Sequence, residues 1–197
     1  MRIVVINPTY NEKENIGRMV EVLFGEEFPK IATRSRHDMH LLVVDDNSPD
    51  GTGELVQNKT REYKNLHLLT GQKHGLGWAY IRGMRYAIDT LKADAVVEMD
   101  ADFQHNPKDL PRLVEALDGG ADVVIGARYI PGGSVPKEWE LYRKFISWAG
   151  NLFIRIALLQ PKLHDLTTGF RLTKSSFLKK IKLEDLDEKT KWYVDNT

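Results

Sequence analysis

The chain has 197 residues, and 28 Lys+Arg balance 28 Asp+Glu. That length suits one well-buried domain, here residues 1–197. A net charge of zero gives no overall basic field of the kind that draws a protein to nucleic acid. Cysteine is absent, which excludes disulfides and thiolate metal sites. No apolar run is long enough to span a bilayer. The N-terminus opens on a strand-like run rather than a signal-peptide pattern.

In chain order, residues 2–6 predict a first strand. Residues 12–24 predict a helix with Ile16, Met19, Val20 and Leu23 on one face. Residues 41–44 predict a second strand, followed by the turn-rich DDNSPDGTG and a helix near 52–63. A third strand at 67–69 leads through Gly75-Leu76-Gly77 into a helix near 77–91, with Ala79, Met84, Ala87, Ile88 and Leu91 inward. A fourth strand ends in MDADFQH. A helix over 107–118 and a fifth strand at 122–126 follow. Beyond Pro131-Gly132-Gly133, residues 139–159 form a long helical candidate. Residues 161–171 read as loop with a short strand, and 179–197 as a charged tail. Strands alternating with helices predict an α/β fold, a mostly parallel sheet covered on both faces. Ligands of such sheets bind beyond the carboxyl ends of the strands. Four polar clusters fall there, after Ile6, Val44, Met99 and Gly126.

The cluster after the fourth strand is the most informative. In an extended chain, residues two apart point the same way, so Asp100, Asp102 and Gln104 would aim oxygens at one spot. Two carboxylates and an amide oxygen suit Mg²⁺ or Mn²⁺, with positions open for phosphates. A plain turn, with Asp102 or Asn106 capping the helix at Pro107, fits the same residues.

In NPTYNEKEN, Asn11 is an expected N-cap, and Glu12 and Glu14 suit a first helical turn. The alternative is a loop around a nucleotide, with Pro8 and Tyr10 as its wall and Glu12 accepting hydrogen bonds. Of Asp45 and Asp46, one should face the cleft, where a carboxylate can accept from a ribose or base. The Gly75-Leu76-Gly77 turn can offer backbone N–H groups to a phosphate, but it has neither the dinucleotide fingerprint nor a P-loop. Arg128 follows the fifth strand. Arg143 and Ser147, four apart, share a helix face; a guanidinium beside a hydroxyl suits a phosphate, though by spacing alone ordinary surface charge is the favoured reading. Residues 145–159 are strongly apolar, and 141–159 contain no Asp or Glu. A buried core helix and a helix lying at a membrane interface both fit that pattern.

Taken together, PTYNE, VDDNSPDGT, KHGLGWA, MDADFQH, GARYIPGG, the downstream YRKFIS and TTGFR resemble the GT-A-type, family 2 glycosyltransferases. Within them they resemble the dolichyl- or polyprenyl-phosphate mannose synthases. The resemblance runs from Ile3 to about Arg171. It implies a GT-A, Rossmann-like three-layer fold, a GDP-mannose donor, Mg²⁺ or Mn²⁺, and a polyprenyl or dolichyl monophosphate acceptor. It also implies peripheral work at the cytoplasmic face of a membrane, the endoplasmic reticulum in a eukaryote or the plasma membrane in a prokaryote. By the same resemblance, Pro8, Tyr10, Glu12, Val44 and Asp46 line the nucleotide pocket. Asp100, Ala101, Asp102 and Gln104 form the metal and diphosphate site. Arg128 contacts the donor or acceptor phosphate, and Arg143 and Ser147 hold the lipid phosphate. Asp102, Arg128 and Arg143 are thus the expected catalytic residues. Family members usually continue past the point reached at Thr197, through a helix and strand that add basic residues. Three rival readings are a relative using UDP-glucose, a nucleotidyltransferase, and a catalytically silent nucleotide-sugar-binding subunit. The nucleotidyltransferase would need a glycine-rich basic motif where PTYNE stands.

Overall fold

The computed structural model describes residues 1–130, 132–133, 135, 140–157, 159, 165 and 167–181, and of Arg143 the backbone alone. The expectations for Trp139, for 160–164 and for the tail beyond 181 lie outside the described residues. A six-stranded sheet in the order β3-β2-β1-β4-β6-β5 forms the middle layer. β1 (Arg2–Thr9), β2 (Asp38–Asp45), β3 (Leu66–Thr70) and β4 (Ala95–Glu98) pair in parallel. β6 (Arg171–Lys174) lies antiparallel between β4 and β5 (Val123–Ile125). The fifth predicted strand therefore does not pair with the fourth. A later strand is inserted between them.

Alternation sorts the strand residues to two faces. Ile3, Val5, Leu41, Val43, Val97 and Leu172 pack against α1 (Lys13–Val22), α2 (Phe28–Arg34), α3 (Thr52–Lys59) and α5 (Leu110–Asp118). Val4, Ile6, Leu42, Val44 and Val96 pack against α4 (Leu76–Asp89) and α7 (Ser175–Leu178). Ile16, Met19, Val20 and Leu23 are completely buried, as their spacing predicts. The predicted helix over 12–24 does not stop there: a π-type turn, Leu23–Glu27, carries it into α2, where Phe28 and Ile31 are buried. In α5, Leu110, Leu113, Val114 and Leu117 form the inner stripe. Each such side chain contributes about 1.5–3 kcal/mol on burial.

α4 packs on the sheet through Gly83, which leaves no room for a side chain. A Cβ there would stand 2.7 Å from Ile6 Cγ2 and 3.0 Å from Val44 Cγ2. This contact fixes the height of the α4 N-terminus over the strand ends.

The long helix α6 (Leu141–Ala157) turns its apolar side outward. Leu141, Phe145, Phe153 and Ile156 are each more than 60% exposed. The buried-core reading of this segment does not hold for those side chains. Its inward side carries Asn151, which is buried.

Candidate active site

The loops after β1 and β2 are built as one unit. Asn11 is not the helix cap: it adopts φ 59° and its N–H donates to Ser48 Oγ. The first free N–H groups of α1 are capped from the neighbouring loop instead. Glu12 N donates to Thr52 Oγ1 at 3.1 Å, and Lys13 N to Asp50 Oδ2 at 3.1 Å. Asp50 also accepts from Thr52 N and Thr52 Oγ1. These bonds from Thr52 hold its carboxyl below the usual carboxylate range.

The two aspartates at the end of β2 divide their work. Asp45 is buried and accepts from Thr9 Oγ1, Ser48 N and Ser48 Oγ, so it shapes the turn. Asp46 lines the cleft and pairs with Arg82 Nη2 at 2.9 Å. Burial raises its pKa, and the Arg82 charge opposes the rise.

The metal-loop geometry differs from the extended strand expected. β4 ends at Glu98, and residues 101–105 form a turn and bends. Phe103 adopts φ 63°, a left-handed conformation that costs a non-glycine residue energy unless its surroundings hold it. The ring is held, packed on the core with the Arg18 guanidinium 5.0 Å from its centroid. Gln104 N then donates to Asp102 Oδ1 at 3.0 Å. This turn breaks the two-residue period: Asp100 and Asp102 line one cavity, and Gln104 lines another. Asn106, not Asp102, caps the short helix at Pro107–Asp109. Asp100 is braced on both sides. Tyr80 Oη donates to its Oδ1 at 2.7 Å, and its own N–H donates to His105 Nδ1 at 2.9 Å. His105 is stacked on Phe170, and burial lowers its pKa, favouring the neutral ring whose Nδ1 can accept. The 3.4 Å approach of the same Nδ1 to Asp100 Oδ2 is then a contact between two acceptors rather than an ion pair.

The first cavity, about 340 Å³, gathers Pro8, Tyr10, Glu12, Asp46, Asp100, Ala101 and Asp102. Gly75 and Leu76 bring the N-terminus of α4 to its wall, and Lys73 Nζ stands 3.4 Å from the centroid of the Tyr10 ring. Val44 is the exception among the expected lining residues. Its side chain is fully buried under α4. Sequence reasoning did not single out Lys73 or Tyr80.

The second cavity, about 250 Å³, holds Gln104, His105, Arg112 and Arg128 in its lining. Arg128 is engaged rather than open. Its Nε and Nη2 grip Asp165 at 2.7 and 2.9 Å, its backbone N–H donates to the same carboxylate at 3.0 Å, and Nη2 reaches Thr167 Oγ1. Asp165 is completely buried and also receives Asn151 Nδ2 of α6 at 3.2 Å. Asp165 is therefore the knot joining the loop after β5, the loop before β6, and α6. Ser147 Oγ on α6 is buried and finds no hydrogen-bond partner among the described residues. The side chain of Arg143 lies outside the described residues.

Asp100 and Asp102 are hard oxygen donors on one cavity wall, the ligand type that Mg²⁺ and Mn²⁺ prefer. Among the described residues no third His, Cys, Asp or Glu joins them in a metal-sized group. The set therefore fits a cation that takes its remaining ligands from phosphate oxygens and water, and not a cage made of protein alone.

The architecture is that of the GT-A glycosyltransferases. The mannosyltransferase PcManGT from Pyrobaculum calidifontis, solved in complex with GDP-Man and Mn²⁺, superposes with a TM-score of 0.59 at 21% identity. The match covers 92% of this chain and 46% of that one. At the sequence level, the family model described as "Glycosyl transferase family 2" matches residues 4–182. The undecaprenyl-phosphate mannosyltransferase of Micrococcus luteus is 41% identical over 194 residues, covering 96% of this chain and 73% of that protein. The polyprenol monophosphomannose synthase of Mycolicibacterium smegmatis is 40% identical over 193 residues, covering 95% and 67%. The chain belongs to glycosyl transferase family 2, an enzyme family.

Proposed function

We propose that this chain transfers mannose from GDP-mannose to a polyprenyl monophosphate, with inversion at the anomeric carbon. The observation that carries the reading is the first cavity. There the β1 loop, Asp46, and the Asp100–Asp102 pair meet at the carboxyl edge of parallel strands. The curated relatives bear names of the same reaction class.

In this reading Pro8, Tyr10, Glu12 and Asp46 seat the nucleoside, with Asp46 accepting from a base or ribose donor. Asp100 and Asp102 would hold the divalent cation, which when bound neutralises charge on the departing diphosphate. An oxygen of the acceptor phosphate forms the new bond to the sugar carbon. The bond to the donor phosphate breaks on the opposite side, and GDP leaves with the electron pair. A phosphate monoester with a second pKa of about 6 is mostly dianionic at neutral pH, so no protein base is required. Arg143 and Ser147 on α6 would hold that phosphate, which would give the buried Ser147 hydroxyl a partner. Arg128 acts through its grip on Asp165, setting the loop beside α6. Gln104 lines the second cavity and is not among the residues lining the first.

The outward apolar side of α6, on a segment without Asp or Glu, suits the interface of an anionic bilayer. No helix among the described residues is long and apolar enough to cross a membrane. A lipid acceptor delivered at that surface would present its phosphate beside Ser147. Calorimetry with GDP-mannose, GDP, UDP-glucose and UDP, each with and without Mn²⁺, tests the donor. Selective, Mn²⁺-dependent binding of the guanine nucleotides is expected. Preference for the uracil nucleotides would overturn the donor assignment.

A further inference from the structure

The least explained polar group at the site is the hydroxyl of Tyr80. Its ring belongs to the α4-side core, and a phenylalanine would fill that space. The hydroxyl instead reaches out of the core to Asp100 Oδ1, at 2.7 Å. Tyr80 is only 8% exposed, so its rotamer is fixed by packing. Ala79, its neighbour in the chain, lines the cavity wall. Asp100 is thus tied to a helix whose height over the sheet is set by Gly83.

We propose that Tyr80 is a positioning residue for the cation site, holding the Asp100 carboxylate in the plane in which it can bind a metal. The proposal rests on the metal-site reading above. A parallel detail supports it. Asp102 is restrained in the same manner, with Oδ1 engaged by Gln104 N, so each aspartate has one oxygen tied before any ligand arrives. A carboxylate with one oxygen held by a fixed donor has one preferred orientation. Partners of metal ligands that act in this way are commonly worth 10–100-fold in affinity.

The test is Mn²⁺ binding to the protein–GDP complex, read by electron paramagnetic resonance of free Mn²⁺. It is run on wild type, Tyr80→Phe, Asp100→Ala and Asp102→Ala. GDP affinity in excess chelator and thermal unfolding are measured alongside. Tyr80→Phe should weaken Mn²⁺ binding roughly tenfold or more, keep metal-free GDP affinity within about twofold, and melt near wild type. If both aspartate variants lose Mn²⁺ while Tyr80→Phe binds it like wild type, the Tyr80 role is wrong and the metal site stands. If the aspartate variants bind Mn²⁺ like wild type, the metal-site reading itself is wrong. An equal loss of Mn²⁺ affinity and metal-free GDP affinity in Tyr80→Phe would indicate a disordered pocket and overturn the positioning role.

Discussion

Asp165→Ala is the most informative perturbation of the scaffold. The carboxylate is completely buried, and the Arg128 side chain that it holds is 16% exposed. Removing one partner of a buried pair strands the other and costs about 3–5 kcal/mol. Because Arg128 keeps some access to water, the lower figure applies, about 3 kcal/mol. At this chain length each kcal/mol lowers the melting temperature by roughly 2–4 °C, so the variant should melt about 6–12 °C below wild type. Replacing both partners, as Arg128→Met with Asp165→Leu, removes the stranded charge and should recover part of that loss. The pH dependence has a definite sign. Burial by itself would raise the Asp165 pKa, but hydrogen bonds and charge from Arg128 hold it below the ordinary 3.8. The folded state therefore binds that proton less readily than the unfolded state. The contribution is fully present above 3.8 and is lost as pH falls through the lower folded value. Circular-dichroism melts of wild type and variant between neutral and acid pH measure both effects. A variant melting within 2 °C of wild type would refute the knot.

Asp102→Ala should abolish sugar transfer while leaving the melting temperature within a few degrees; transfer at the wild-type rate would remove it from the site. Gly83→Ala forces a Cβ against Ile6 and Val44, and should destabilise by about 1–3 kcal/mol, read in a urea titration. Arg143→Ala should raise KM for the lipid phosphate more than KM for GDP-mannose, and an unchanged acceptor dependence would count against its phosphate role. Phe145→Asp with Phe153→Asp should release the protein from anionic vesicles in a flotation assay without changing the fold, since both side chains face outward.

The parallel half of the sheet was legible because each strand is a short apolar run closed by turn residues. Runs such as LLVV and AVV are buried on both faces, and this is what a central parallel strand requires. β6 was harder to read: Arg171–Lys174 is only four residues long, with Leu172 and Thr173 as its buried pair. α2 was hidden by Pro29, which reads as a break yet sits in the first turn of a helix, where proline is tolerated. The site divides in the same way. The clusters at strand ends were visible, because local chemistry marks them. Gln104 was misplaced because one left-handed residue, Phe103, cancels the alternation on which the reading depended. Asp165 and Tyr80 could not be read, because each acts on a partner distant in sequence. Asp165 meets Arg128 across 37 positions and Tyr80 meets Asp100 across 20. In the chain the first looks like a loop residue and the second like one more apolar helix position.

The central claim is that the Asp100–Asp102 cavity is the donor site of a mannosyl transfer to lipid phosphate. Its most direct test follows radiolabelled mannose from GDP-mannose into polyprenyl phosphate, with Mn²⁺ and then with excess chelator. The account predicts labelled lipid product with Mn²⁺ and none with chelator. Undiminished product in chelator, or product from UDP-glucose and none from GDP-mannose, would contradict it.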